Sequence, residues 1–185
     1  MLSLSGHKFY GPKGIGALYV KDGIKFARYI DGGHQEKNKR AGTENVPAIV
    51  GIGKAAELAK ANLDEQKIKL EEIRDYYIEQ VMQNIYDARL NGSIQNRLPG
   101  NANFSFSGID GAAVLYELDL KGICVSTGSA CSSGDTTPSH VLTSIGLDEY
   151  LANGAIRATF GDENTKEQID ILVKSLKEAI EKFKE

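Results

Sequence analysis

Chemistry in this chain is concentrated in a few short segments. The first is Ser5-Gly6-His7-Lys8, followed by the turn-rich Gly11-Pro12-Lys13-Gly14. A lysine at the end of a strand, among small and hydroxyl residues, can be held where its amine is partly desolvated. Desolvation lowers an amine's pKa, and a neutral amine can add to a carbonyl carbon. Ser5 and His7 beside it could donate to a phosphate or stack on an aromatic ring. The plainer reading, a solvated lysine ahead of a glycine turn with Lys13 as a turn residue, stays open on these residues alone.

The second segment is Ser126-Thr127-Gly128-Ser129-Ala130-Cys131-Ser132-Ser133-Gly134. All of these residues are small, and the thiol of Cys131 is the only nucleophile there stronger than a hydroxyl. A thiol on such a segment, with no bulky neighbour to bury it, suits transfer of a group to an outside acceptor. The alternative is an ordinary loop with an incidental cysteine. Cys124, between Ile123 and Val125, is expected to pack as a small hydrophobe in a buried strand.

Arg157 alternates with apolar residues in Ala155-Ile156-Arg157-Ala158-Thr159-Phe160. An arginine on such a strand can point into a cleft and clamp a carboxylate with its planar fork. A surface ion pair is the competing reading. Thr43, in Arg40-Ala41-Gly42-Thr43-Glu44-Asn45, precedes a helical pattern and could bind an anion with free backbone N–H groups, or act as a plain N-cap. His34 and His140 suggest structural roles.

The elements that must position these groups can be read from periodicity. Met1–Ser5 and Ile15–Val20 read as strands. A helical pattern runs from Val46 to about Arg89, with Leu63, Leu70, Ile73, Tyr77 and Val81 at helical spacing. It is too long for one globular helix, so a break and a domain boundary are placed near Ala61-Asn62. Ala102–Phe106, Ile123–Ser126 and Ala155–Phe160 read as strands. Gly111–Leu118, Pro138–Ser144 and Thr165–Phe183 read as helices, the last with Ile169, Leu172, Val173, Leu176 and Ile180 as its apolar face. This alternation predicts an α/β fold, divided into residues 1–62 and a small domain of residues 63–185.

Composition bounds the function. With 185 residues, 41% hydrophobic and 25% charged, the chain can bury a sizeable core. A net charge of −3 with no basic run gives a nucleic-acid partner no electrostatic support. No apolar stretch or leader pattern points to a membrane or to export, so a cytoplasmic location is expected. Two cysteines in one segment form neither a disulfide framework nor a metal spacing, and no metal site is expected.

Taken in order, the segments S-G-H-K-F-Y-G-P-K-G-I-G-A-L-Y-V, G-G-H-Q-E, R-A-G-T-E-N-V-P, L-P-G-N-A-N-F-S-F, V-S-T-G-S-A-C-S-S-G, P-S-H-V-L and I-R-A-T-F-G cover almost the whole chain. Together they resemble the cysteine desulfurase family (NifS/IscS type), fold-type-I pyridoxal-phosphate enzymes of aminotransferase class V. The resemblance implies the C-terminal part of such an enzyme, a remnant of the large cofactor-binding domain followed by the small α/β domain. It also implies that Lys8 holds pyridoxal 5'-phosphate and that Ser5 and His7 contact the cofactor. Thr43 would reach the phosphate of a neighbouring subunit in a homodimer, Arg157 would bind the substrate carboxylate, and Cys131 would be the catalytic cysteine. On that resemblance the cofactor would act as an electron sink, and Lys8 would shuttle the Cα proton of L-cysteine. Cys131 would then take the sulfur as a persulfide, alanine would be released, and the sulfur would pass to an acceptor or iron–sulfur scaffold protein.

A full family member has about as much chain again before this point, including an aspartate for the pyridine nitrogen and a histidine that stacks on the ring. The chain is therefore expected to be a truncation, a split product or an expressed fragment. Its first part should expose strand edges and apolar surface, and alone it should bind the cofactor weakly and turn over little. Two other readings are a non-catalytic small-domain fragment that binds acceptor proteins, and a relative of selenocysteine lyase.

Overall fold

A computed structural model of the protein describes residues 1–128 and 137–184. Its contacts divide the chain into two compact units, Met1–Leu63 and Asp64–Glu185.

The first unit opens with an antiparallel ribbon, β1 (Leu2–Ser5) and β2 (Gly16–Tyr19), in which Leu2 pairs with Tyr19 and Ser5 with Gly16. A 3-10 turn, Gly6–Phe9, follows β1 and ends at Tyr10 in the left-handed region, φ 65°. The ribbon is tight, since a Cβ at Gly16 would lie 2.6 Å from the Leu4 carbonyl oxygen. A short α1 (Gln35–Asn38) follows, with left-handed backbone at Glu36 and Lys37. Next comes α2 (Val46–Ala61), capped by Asn45, whose side chain accepts from the Ala48 N–H, and helped by Pro47 in its first turn. It packs against the 3-10 turn, and Gly51 leaves room for Pro12, whose Cγ would be 2.5 Å from an added Cβ.

This unit buries almost no apolar surface. Among its described hydrophobic residues only Ala41 and Ala55 are buried, while Leu2, Leu4, Leu18, Tyr19, Val46, Ile49 and Val50 are exposed. The exposed edges and faces expected from the sequence are present.

The second unit has a core of its own. Helix α3 (Leu63–Asn84) begins straight after Asn62, where the long helical pattern breaks as expected. Then come β3 (Ala88–Leu90), β4 (Asn101–Phe106), α4 (Gly111–Leu120), α5 (His140–Ser144), α6 (Glu149–Asn153), β5 (Ala155–Thr159) and α7 (Lys166–Lys184). Among the described residues the sheet is antiparallel, in the order β3-β4-β5, with Asn103 opposite Arg157 and Phe104 opposite Ile156. Period-2 alternation sends Ala102, Phe104, Phe106, Ile156 and Ala158 to one face. There they join Ile73, Tyr77 and Val81 of α3, Val114 and Leu118 of α4, and Ile169, Leu172, Val173, Leu176 and Ile180 of α7. Tyr77 lies edge-on to Phe104 and Phe160, with ring centroids 5.8 and 5.3 Å away.

Helix ends follow the local sequence. Asp110 accepts from the Ala112 N–H at the start of α4, and Asp148 from the Leu151 N–H at α6. At α7, Thr165 and Gln168 bond each other's backbone N–H, a reciprocal capping box.

Two expectations need correction. Ile123–Ser126 is not a strand; only Ser126 forms an isolated bridge, to Arg157. Cys124 is exposed rather than buried. The alternation there runs the other way, with Ile123 and Val125 packed on the core, so the residue between them must face out.

Candidate functional site

The hairpin-like ribbon of the first unit brings Ser5, His7 and Lys8 together. Ser5 ends β1 as the N-cap of the 3-10 turn, and His7 and Lys8 lie within that turn. Two backbone bonds fix its shape: the Gly6 N–H donates to the Ile15 carbonyl (2.9 Å) and the Gly11 N–H to the Gly6 carbonyl (2.9 Å). Gly6 is buried, and a Cβ there would meet Ile15 Cγ2 at 3.0 Å, so the backbone passes where a side chain would not fit. The side chains of Ser5, His7 and Lys8 are all exposed.

That exposure corrects the expected desolvation of Lys8. Its neighbours in the turn, His7 and Tyr10, are exposed as well, and only Phe9 is half-buried, so no apolar wall closes over the lysine within this chain. Within this chain the Lys8 amine is solvated.

Thr43 lies on a loop that is tied by side chains. The Gly42 N–H donates to Gln35 Oε1 (3.2 Å), and Arg40 Nη1 donates to the Gly42 carbonyl (2.8 Å). Gly42 sits at φ 98°, a conformation that favours glycine. Arg28 holds the preceding stretch through Asp31 and the carbonyls of Gly32 and Gly33. The helix cap is Asn45, so Thr43 is not the plain N-cap; its side chain is exposed. His34 pairs with Asn38 Oδ1, as suits a structural histidine, and His140 is an exposed residue that starts α5.

In the second unit Arg157 sits mid-strand on the face of the sheet turned away from the main core, half-buried. Its Nη1 donates to the carbonyl oxygen of Gly128 at 2.9 Å. Its backbone and that of Ser126 exchange N–H···O bonds of 2.6 and 3.0 Å. No carboxylate pairs with Arg157 among the described residues, so the surface ion-pair reading does not hold there. Cys131 lies outside the described residues, three positions past Gly128 in the sequence.

The same polar face carries residues that sequence reading did not single out. Asn103, opposite Arg157, accepts from Asn91 Nδ2 through Oδ1 (2.6 Å), and Asn91 Nδ2 also reaches Ser105 Oγ (2.8 Å). The signal was available in the alternation of N-A-N-F-S-F, in which each polar residue shares a face with the next. Among the described residues no cluster of His, Cys, Asp or Glu could hold a metal ion, and no helix is long and apolar enough to cross a membrane.

Comparisons with known proteins agree on a family. The aminotransferase class-V model matches residues 1–172. A cysteine desulfurase IscS of Dictyoglomus turgidum is 52% identical over 184 residues, covering 100% of this chain and 47% of the relative. The solved structure of a NifS-like protein from Rickettsia africae superposes with a TM-score of 0.85 at 32% identity, covering 97% of this chain and 47% of that one. A structure described as SspA in complex with cysteine matches at 37% identity and a TM-score of 0.59, covering 85% of this chain and 43% of the other. The chain thus spans about half the length of the curated relatives it matches.

Proposed function

Because this chain belongs to the aminotransferase class-V family, with cysteine desulfurases among its relatives, we propose that it carries the cofactor-lysine and sulfur-accepting portions of a cysteine desulfurase. The donor set on the 3-10 turn fits pyridoxal 5'-phosphate. It offers a lysine amine for the aldehyde carbon, a hydroxyl and an imidazole for polar substituents, and a backbone that leaves no room for a Cβ at Gly6. When bound, the cofactor supplies an electron sink that makes the Cα proton of an amino acid acidic.

The chain's own residues do the rest. Ser5 and His7 would orient the cofactor, and Thr43, on its tied loop, would reach the phosphate of a neighbouring subunit's cofactor in a homodimer. The Lys8 amine would hold the cofactor and would move the proton at Cα. Arg157 clamps the carboxylate of L-cysteine with its fork. The Cys131 thiolate attacks the substrate sulfur: a new S–S bond forms as the C–S bond breaks, and its electron pair stays with the carbon that leaves as alanine. The persulfide on Cys131 then passes to a sulfur-acceptor or iron–sulfur scaffold protein in the cytoplasm.

The observation that carries this reading is Arg157, half-buried, free of any carboxylate among the described residues and bonded to Gly128 ahead of the cysteine. The units Met1–Leu63 and Asp64–Glu185 are assigned, respectively, to a part of the large cofactor-binding domain and to the small domain.

The test is a chimera in which this chain replaces the matching half of the Dictyoglomus turgidum relative. It is expected to release alanine from L-cysteine and to form a persulfide on Cys131, seen by mass spectrometry. Lys8→Ala and Cys131→Ser should abolish both products. A folded chimera that keeps full turnover with Cys131→Ser would overturn the assignment. Turnover of selenocysteine but not cysteine would favour the lyase reading.

A further inference from the structure

The exposed side of α3 and the loop from Asn91 to Gly100 together form a feature that the desulfurase reading does not use. They enclose an open groove of 440 Å³ lined by Asp75, Ile78, Glu79, Met82, Ile94 and Gln95. We propose that this groove docks a basic amphipathic segment of a partner protein.

Its apolar part is larger than isolated surface residues would make it. Met82 is 55% exposed and Ile94 54%, and both line the groove; Tyr86 and Leu98, exposed too, lie in the same stretch of chain outside its lining. Nor is the exposure that of a loose loop. Arg97 staples the loop from inside, donating to the carbonyls of Ser93 (2.8 Å), Asn91 (3.0 Å) and Asn101 (3.3 Å). Ser93 Oγ accepts from the N–H groups of Gln95 (3.2 Å) and Asn96 (3.0 Å), which closes the tip. Asn91, buried, anchors the loop to β4 through Asn103 and Ser105. Ile94 is therefore held out to solvent opposite Met82 by polar bonds on the other side of the loop. A preordered apolar wall binds without the cost of ordering it.

Charge selects the partner. Glu72, Asp75 and Glu79 follow one another at three- and four-residue spacing, so they line one stripe of α3, and all are exposed. The nearby cations are turned inward. Arg74 is buried against Asp75 and the Leu98 carbonyl, and the half-buried Arg97 is occupied with carbonyls. Desolvation, together with the neighbouring Arg74, lowers the pKa of Arg97. Asp75, although paired with Arg74, keeps a 61% exposed side chain, so the groove meets solvent with that carboxylate and with Glu79 beside an apolar floor, and none of its lining residues is cationic. Its complement is a segment with apolar anchors flanked by Lys or Arg. An anionic lipid surface would meet repulsion from the same carboxylates.

The test uses the full chain and a fluorescein-labelled synthetic helix of Leu and Lys, with the Leu residues on one face, read by fluorescence anisotropy. Saturable binding is expected, weakened at least about tenfold by Ile94→Asp or Met82→Asp. Glu79→Lys should shift preference toward the same helix with Glu in place of Lys. Glu163→Gln, which removes an exposed charge elsewhere, should leave binding unchanged. Circular dichroism verifies the fold of each variant, and if Ile94→Asp unfolds, the Glu79→Lys reversal decides. Absence of binding, equal binding by Ile94→Asp, or equal weakening by Glu163→Gln would each overturn the proposal. So would binding to anionic vesicles in place of the peptide.

Discussion

Arg157 is tied to the segment that ends at Gly128 twice over. The guanidinium donates to the Gly128 carbonyl at 2.9 Å, and two residues earlier the backbones of Ser126 and Arg157 form an isolated antiparallel bridge. A strand arginine and the start of the cysteine segment are thus one local construction, although they are far apart in sequence. The side chain proposed to bind the substrate carboxylate is oriented by the backbone that precedes Cys131, the proposed sulfur acceptor, in the sequence.

It follows that Arg157 should be intolerant of conservative change. In the chimera with the Dictyoglomus turgidum relative, Arg157→Ala is expected to lower kcat/KM for L-cysteine by about 10–100-fold, the loss of roughly 1.5–3 kcal/mol of charge-assisted hydrogen bonding. Arg157→Lys should recover only part of this, because an ammonium lacks the planar fork. Steady-state kinetics on both variants decide the point, and wild-type values for Arg157→Lys would remove the carboxylate-clamp role.

The two units should differ in resistance to proteases. Residues 1–63 bury scarcely any apolar side chain, whereas the second unit has a continuous core. Local opening costs little where few apolar contacts are lost. Limited proteolysis of the chain is expected to cut first within residues 1–63 and to leave a resistant product that begins near Asp64. Equal resistance throughout would contradict this.

Tyr77 offers a stability gain. Its ring is fully buried, but its hydroxyl has no hydrogen-bond partner among the described residues, and burial pushes its pKa well above the usual tyrosine range. Leaving such a group unsatisfied costs about 1–3 kcal/mol. Tyr77→Phe keeps both edge-on ring contacts and should be neutral or stabilising by up to about 1–2 kcal/mol in urea denaturation. Marked destabilisation would mean that the hydroxyl has a bound partner such as water.

An ion pair between the residue that ends α4 and helix α7 sets a pH dependence. Lys121 donates to Glu178 at 2.6 Å, and this bond lowers the Glu178 pKa. A carboxyl whose folded pKa lies below its unfolded value contributes stability above the unfolded pKa. It loses that contribution as pH falls through the folded one. Glu178→Gln should therefore lower Tm slightly at neutral pH, and the difference should vanish once pH drops below the usual glutamate range. The pair is exposed, so the effect is small. A Tm difference that persists unchanged into acid would contradict it.

Much of this architecture was legible in the residues. The apolar stripe of α7 is buried as its 3.6-residue period predicts, and Asp110 and Thr165 cap the helices they precede. The long helical run breaks at Asn62, within the expected interval. The failures lie where local pattern underdetermines packing. Ile123–Ser126 alternates like a strand, but only Ser126 finds a strand neighbour, and the side of Cys124 was set by which of its neighbours the core accepted. The helical pattern read to about Arg89 stops at Asn84, because Ala88–Leu90 has no period of its own and becomes β3 through its pairing with β4.

The opening pair, Lys8 and Cys131, illustrates the division. Their chemical identity and their family motifs are written in the sequence, because an amine, a thiol and the small residues around them are local facts. Solvation of Lys8, the tie from Arg157 to Gly128 and the stapling of Ile94 beside α3 came only from tertiary structure. Each depends on groups brought together from distant positions, and burial and hydrogen bonding are properties of that assembly rather than of any residue type.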